Sequence, residues 1–573
     1  HYRWEYPEMI QGLIMFVVGL AMIPLLQKYL GMPYEAALAF CVIAGIGYML
    51  PALLGVPLVP GWITPAIPVV ILFLQGFEPG PEAIKAMFAL QIEVFIIFLV
   101  LGITGLGNRL VTVIPNSLKS GIIIGAGHNG LVAAAMLARK GRKVLVLEAR
   151  DHVGGMLGDA GFRVAPLPYA LRPEIIRSLG LDQQLMGSSK PVETVSFNPD
   201  GAPVTVLGGR ASGVQADMAQ AYAALYARLG RQARALGVMM LQSPPGLGKA
   251  SFSEMAGLAR MALKMRLLGK TEMRDLLRII LSNVWDLLND EICDGPLAGA
   301  LAMDATLGGA MGPRSPGTVL TLLYRMASQS SHGHGLRVMP EGGAGALVKA
   351  LTECVTSAGG EIRTGAPVEK ILVDQDKAAG VRLQSGEEIA AATVLSNASP
   401  RVTLLTLLGV EYLDGEFVRR CRNMASNGMV SRLDFDIAAM PSLRGGGEIG
   451  SGRRLIVAPT MQAIETAFNA AKYGGLPERP VLEASFDASA NRLSVSAQFT
   501  PHDLKGGWTD DARAKLASSV LEVLEQALPG LSAAVTGNRV MSPVDIETGY
   551  GASGGHWHHG ELRVDQLLML RPF

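Results

Sequence analysis

The chain has 573 residues, enough for about three or four units of ordinary size. Fifty Lys and Arg stand against 49 Asp and Glu, a net charge of +1, and no basic or acidic block is long enough to suggest a nucleic-acid partner. Four widely spaced cysteines, Cys41, Cys293, Cys354 and Cys421, form no CxxC pair, which argues against a disulfide scaffold or zinc site and fits a reducing compartment.

Mean hydropathy is high at +0.31, and the excess is uneven, because charges are sparse before Lys119 and ordinary after it. Residues 9–30, 35–54 and 83–105 are each about as long as a bilayer-crossing helix, ~20 residues. Between them, residues 57–76 are apolar but interrupted by Pro60, Gly61, Pro65 and Pro68. An interrupted helix leaves backbone groups that lipid cannot satisfy but a protein-lined cavity can. The expectation is an all-α transmembrane segment of about four spans over residues 1–119, with Glu93 as a candidate functional carboxylate. Buried helices of a large soluble core, and a Glu93 bonded to a neighbouring helix, are the alternatives.

The strings "YPEMIQGL", "GMPYEAALA", "PGWITPAIP" and "PNSLKSGIIIGAG" resemble the opening of a xanthine/uracil permease-superfamily transporter over residues 2–127. The resemblance implies two inverted halves of about seven spans each, with substrate held between them. A fragment of four spans and the start of a fifth cannot close such a site, so transport by this chain alone is not expected.

From Gly121 the pattern changes. "GIII" suits a buried parallel strand; Gly125-Ala126-Gly127-His128-Asn129-Gly130 is a GxGxxG turn; "LVAAAMLARKG" suits a helix and "KVLVLEA" a second strand. In this βαβ context Gly125 permits the tight turn, Gly127 lets backbone approach a diphosphate, and Gly130 lets helix and strand pack closely. The helix beginning near Asn129 aims free N–H groups and its positive dipole end at phosphates. Glu148 ends the second strand about twenty residues on, where a carboxylate accepts ribose hydroxyls. In "EARDHVGGM", Glu148, Ala149 and Arg150 are followed by Gly154-Gly155, a second close-approach loop beside the diphosphate.

The whole string from Ile122 to Gly155 closely resembles flavoproteins of the phytoene desaturase and amine oxidase superfamily, nearest its phytoene desaturase-like oxidoreductases. That resemblance implies FAD as cofactor. It extends through residues 339–400, read as a glycine turn, a helix closed by Gly359-Gly360, strands near 368–374, 379–383 and 393–396, and a hairpin at Ser385-Gly386. By resemblance alone, the backbone at Val368 contacts the adenine. "GGHWHHGELRVDQLLMLRPF", residues 554–573, also resembles the family. His556, His558 and His559 lack a carboxylate or thiolate at matching spacing, so a place near flavin or substrate is expected rather than a metal site. Such flavoproteins continue into a glycine-rich stretch that completes the flavin pocket, so weakened FAD retention is expected of a chain ending at Phe573.

Between the cofactor segments, residues 252–290 read as amphipathic helix, either a core helix or a lipid-admitting surface. "SRLDFDIAAM" and "PVLEASFDAS" alternate like half-exposed antiparallel strands. Thr509 caps a helix that Pro529-Gly530 ends.

The expected fold is an α/β Rossmann-like FAD-binding domain with an α+β substrate domain, preceded by the transmembrane segment. The cofactor domain takes 120–200, 335–405 and 535–573; the substrate domain takes 201–334 and 406–534. Residues 121–127 fit both patterns, as a fifth membrane helix or as strand and phosphate turn; the downstream sequence favours the strand and suggests two unrelated genes joined there. The expected activity is FAD-dependent removal of hydride from a small apolar, isoprenoid-like substrate. The alternatives are a nucleobase-type transporter with a non-catalytic soluble domain and an inactive fusion. No triad, carboxylate pair or reactive cysteine names a catalytic residue, as expected where the cofactor accepts the hydride. Arg3 on the side of Arg109 and Lys119 sets a membrane location with the flavin domain cytoplasmic.

Overall fold

The computed structural model describes residues 23–39, 41, 74, 76–89, 92, 120–158, 172–181, 185, 189–239, 263, 266–267, 269–327, 329–330, 333–334, 337–450, 452–563 and 566. The chain divides into two units, His1–Asn116 and Ser117–Phe573.

In the first unit the helix Ile23–Leu30 stops at Gly31, whose φ of +65° suits glycine, just before Pro33. Among the described residues no helix is long and apolar enough to cross a membrane. The expected four-span segment, and the membrane location and membrane contact drawn from it, are corrected accordingly. The apolar content that suggested spans has another use: Ile23, Leu26, Leu30, Ala37, Cys41, Leu74, Ala83 and Met87 bury one another in a small core. Residues 9–22, 42–54 and 93–105, including Glu93, lie outside the described residues, as does all but Leu74 and Gly76 of the interrupted stretch.

In the second unit Ser120–Ile124 is a strand, so the phosphate-turn reading of the junction is the observed one. It lies inside a four-stranded parallel sheet in the order Glu361–Arg363, Lys143–Leu147, Ser120–Ile124, Thr393–Ser396. Ile122 pairs with Leu145 on one side and Val394 on the other. The helix His128–Arg139 crosses between the first two strands in chain order, burying Leu131, Ala134, Ala135 and Ala138 against the helix Gly343–Ser357. The opposite sheet face, with Ile122, Ile124 and Leu147, packs on a three-stranded antiparallel sheet through Ile371, Val381 and Leu383. Gly386, at φ +88°, turns the hairpin of that small sheet.

The other large element is an eight-stranded sheet ordered Val535–Met541, Val430–Ile437, Arg492–Gln498, Val481–Asp487, Arg453–Val457, Glu193–Ser196, Val204–Leu207, Arg210–Ser212. One face carries Val195, Leu433, Phe435, Leu455, Leu482 and Val495, covered by the helix Asp510–Ala527. That helix is capped by Thr509, whose Oγ1 accepts from the Ala512 N–H, and it ends before Gly530. The opposite face carries Thr194, Arg432, Asp434, Arg454, Glu483, Ser496 and Gln498, all buried. Alternation along 431–440 and 480–489 had suggested strands half exposed to solvent. The alternation is real, but Arg432, Asp434 and Glu483 on its polar side are buried within the protein.

Close packing fixes one glycine in particular. A Cβ at Gly130 would lie 2.1 Å from the Gly125 carbonyl oxygen, so helix and strand could not keep their separation. Gly130→Ala is therefore expected to lower stability by roughly 1–3 kcal/mol, while Gly121→Ala, whose Cβ would meet only Thr393 O at 3.8 Å, stays within about 0.5 kcal/mol. Denaturant unfolding of the two variants checks this.

Candidate active site

Parallel strands end together at the crevice where open α/β sheets bind ligands. Gly125, at φ +90°, makes the turn out of the first strand, and its N–H still donates to Leu147 O at 2.8 Å. Gly127 is the N-cap of the following helix, which has no side-chain cap and no acid in its first turn. The first N–H groups of any helix lack an intrahelical acceptor. No acid stands in this first turn to take them, which suits an anion. Ala126 is fully buried, and its carbonyl accepts from Gly154 N–H at 2.8 Å, so the second glycine pair is bonded to the first turn. A Cβ on Gly155 would sit 3.2 Å from Gly127 Cα, and one on Gly127 would sit 2.9 Å from Asn397 Nδ2. The two glycine loops thus bring bare backbone together in the way a diphosphate requires.

Glu148 is buried, and both carboxylate oxygens accept backbone hydrogens: Oε2 from Ala126 N–H at 2.6 Å and Oε1 from Arg150 N–H at 3.1 Å. Each oxygen has a second lone pair, which ribose hydroxyls can use. Ala149 joins Glu148 to Arg150, whose guanidinium lies over the Tyr550 ring at 4.0 Å. Val368 opens the small antiparallel sheet; two residues earlier, Ala366 N–H donates to Glu148 O at 2.8 Å. Backbone and Glu148 hydrogen bonds tie the glycine turn, the Gly154–Gly155 loop and the entry to the Val368 strand together, and their bare backbone fits a dinucleotide.

The C-terminal histidines reach the same crevice. His559, a non-glycine residue at φ +60°, faces His128 closely enough to act on it electrostatically. Burial first, and then His559, push the His128 pKa down to about 4. His556 is buried; its Nδ1 accepts from the His558 and Gly560 N–H groups at 3.2 Å, and its Nε2 lies 3.5 Å from Glu561. His558 is exposed by surface area, yet burial and its neighbours Arg325, His556 and His559 hold its pKa well below the usual range. Its Nε2 stands 3.5 Å from Arg325 Nη2.

Arg325 belongs to a second cavity, beneath the polar face of the large sheet. Leu225, Leu229, Leu301, Leu322 and Met326 form its apolar wall, with Tyr222 and Tyr226. Arg454 closes the polar end, bidentate to Asp304 at 2.8 Å for both bonds, while Arg337 bonds Asp304 at 2.6 Å. The sequence reading missed this cluster. Its only trace is a charge set within apolar runs: Asp304 in "ALAMDATL", Arg325 in "TLLYRMA", Glu483 in "PVLEAS". The long separations, 150 residues between Asp304 and Arg454, hide the pairing.

The glycine turn and its second loop fit a dinucleotide, and comparison with known proteins supports a flavin oxidoreductase. Residues 130–409 match the family described as flavin containing amine oxidoreductase. Pyridine nucleotide-disulfide oxidoreductase domain-containing protein 2 of Rattus norvegicus is 29% identical over 511 residues, covering 79% of this chain and 86% of its own. Phytoene desaturase (neurosporene-forming) of Rhodobacter capsulatus is 29% identical over 311 residues, 50% of this chain and 54% of that one. Among solved structures, an oxidoreductase from Methanosarcina mazei covers 74% of this chain and 88% of its own, at 18% identity and a TM-score of 0.44. Residues 130–409 thus match the amine oxidase family, the chain is similar to phytoene desaturase-like oxidoreductases, and it is an FAD-dependent oxidoreductase.

Two measurements follow from this geometry. Glu148→Gln leaves a single acceptor oxygen where two backbone N–H groups converge, and FAD affinity, read by flavin fluorescence, is expected to fall roughly ten- to hundredfold. In the FAD-free protein, folded His128 resists protonation until about pH 4 whereas an exposed histidine takes a proton near 6.5, so the unfolded state binds that proton first. The stability this neutral ring contributes is complete above about pH 6.5 and is lost as pH falls towards 4, by on the order of 3 kcal/mol. Unfolding curves of wild type and His128→Asn across that window should differ by this slope.

Proposed function

We propose that this oxidoreductase removes hydride from a small apolar, isoprenoid-like substrate. The observation that carries the reading is the cavity, walled by leucines and tyrosines, whose polar end meets the histidine segment at Arg325 and His558. The diphosphate of FAD is held by Gly125, Ala126, Gly127, His128, Asn129 and Gly130, with Gly154 and Gly155 as the second loop. Glu148, Ala149 and Arg150 receive the ribose, and the backbone at Val368 the adenine. In this reading 120–200, 335–405 and 535–573 form the cofactor part and 201–334 with 406–534 the substrate part, joined because Glu193–Ser196 and Val535–Met541 also belong to the large sheet. Bound flavin supplies the two-electron acceptor.

The chain's own residues then have two tasks. Backbone and Glu148 orient the cofactor. Leu225, Leu229, Leu301, Leu322 and Met326 exclude water and align an apolar substrate through dispersion and hydrophobic contact. His558, held in its neutral form, lies with Nε2 3.5 Å from Arg325 Nη2 where the cavity meets the histidine segment.

A second reading, oxidation of an amine, takes support from the description of the matched family. Against it stands the cavity itself, where a cationic amine would meet three guanidinium groups and one carboxylate. The FAD-loaded chain is to be mixed anaerobically with phytoene, farnesol, farnesoic acid and putrescine in turn. Bleaching of the oxidised flavin band by at least one isoprenoid and not by putrescine is the expected result. Bleaching by putrescine alone, or by none of the four, overturns the reading.

A further inference from the structure

His556 and Glu561, 2% and 1% exposed, are buried together at the two ends of one short bend. Nδ1 of the ring accepts the N–H groups of His558 and Gly560, both at 3.2 Å, and Nε2 faces Oε1 of Glu561 at 3.5 Å. The two ring nitrogens therefore meet opposite neighbours, donors on one side and a carboxylate on the other. A nitrogen whose lone pair takes two backbone hydrogens has no place for a proton of its own, so an imidazole with one proton carries it on the other nitrogen. The tautomer that satisfies both sides has its hydrogen on Nε2, directed at Glu561.

The backbone so gathered follows a costly course. His559 sits at φ +60°, and a side-chain-bearing residue keeps such a conformation where its surroundings enforce it. Its N–H donates to the His556 carbonyl at 2.9 Å, so one residue takes the N–H groups of 558, 559 and 560 in succession. Glu561 anchors the far end. Its N–H donates to Ala425 O at 3.0 Å, and its carboxylate accepts from Ala310 N–H at 3.0 and 3.3 Å.

The bend carries two side chains to two places. His558 Nε2 stands 3.5 Å from Arg325 Nη2, and Arg325 lines the cavity. His559 acts on His128, in the helix that opens at the glycine turn. We propose that His556 is a positioning residue of the flavin enzyme: as the Nε2–H tautomer it hooks residues 558–560 into the bend that presents His558 to Arg325 and His559 to His128. It acts through those two histidines. The inference rests on the glycine turn being the place of the FAD diphosphate, and it adds what holds the C-terminal segment against that turn.

Two replacements separate the nitrogens of the ring from its bulk. In His556→Asn the amide oxygen, attached to Cγ as Nδ1 is, still accepts the backbone hydrogens, whereas His556→Phe keeps a ring and loses both nitrogens. FAD affinity of the full chain is to be read by flavin fluorescence, alongside the thermal midpoint of the FAD-free protein. His556→Phe is expected to weaken FAD roughly tenfold, and His556→Asn to stay within about threefold of wild type. Space filling alone gives the reverse order, because Phe matches the imidazole ring better than Asn does. A folded Phe variant that binds FAD as wild type does, or an Asn variant no better than Phe, overturns the proposal. The tautomer is tested without any variant: ring-nitrogen NMR spectra of the histidine-labelled wild-type protein are expected to show His556 with a bare Nδ1 and a protonated Nε2. A proton on Nδ1 overturns the proposal as well. Glu148→Gln separates the two readings. If it leaves FAD affinity unchanged, the placement of the cofactor fails; if it weakens FAD and His556→Phe does not, only the role of His556 fails.

Discussion

Glu148 is where the nucleotide half of the second unit is tied together. Its carboxylate takes the N–H groups of Ala126 and Arg150, while its own N–H donates to Arg363 O at 2.9 Å and its carbonyl accepts from Ala366 N–H. One residue thus holds the phosphate turn, the end of its own strand, the neighbouring strand Glu361–Arg363 and the entry to the small antiparallel sheet. A buried carboxylate is tolerated only when its lone pairs are used, and here backbone uses them. The glycine loops can stay bare because Glu148, and not a side chain within the loops, fixes their position.

The large sheet solves a different problem. An eight-stranded sheet with two apolar faces would need only packing, but this one buries charge on one side. Arg454, Glu483 and Asp304 form a network in which removal of any member would strand a buried partner at a cost of about 3–5 kcal/mol. Buried ion pairs add little net stability over an apolar substitute, so stability alone does not account for keeping them. Their place at the closed end of an apolar cavity does: they set the electrostatic character of the site while the leucine wall sets its shape.

What the sequence disclosed depended on how local each feature is. The turn from Gly125 to Gly130, with strand, helix and Glu148, is written within about thirty residues, and the Thr509 cap within four. Alternation in 431–440 was equally visible, but periodicity states only that two faces differ, not that the polar one meets water. Arg432 and Asp434, on the polar side, are buried all the same, a fact held in tertiary packing and not in the period. The N-terminal stretches were read from length and hydropathy, which cannot separate a span from a helix that spends its apolar side on neighbours. Gly31 and Pro33 mark where the first described helix stops.

The histidine run at 556–559 shows how the two halves communicate chemically. Four successive residues give four different directions: His556 turns into the protein towards Glu561, Trp557 packs where a Cβ on Gly308 would meet it, His558 reaches Arg325, and His559 faces His128. Such divergence needs irregular backbone, and the segment supplies it, with Gly554 and Gly555 at positive φ and His559 itself at +60°. A regular helix would have placed residues three or four apart on one side, and a strand would have sent alternate residues to two faces. Irregular backbone therefore lets a short peptide touch the phosphate turn and the guanidinium cluster at once. A change in charge at Arg325 is therefore felt at His558 and one at His559 at His128, so this segment links the electrostatics of the cavity under the large sheet to those of the glycine turn.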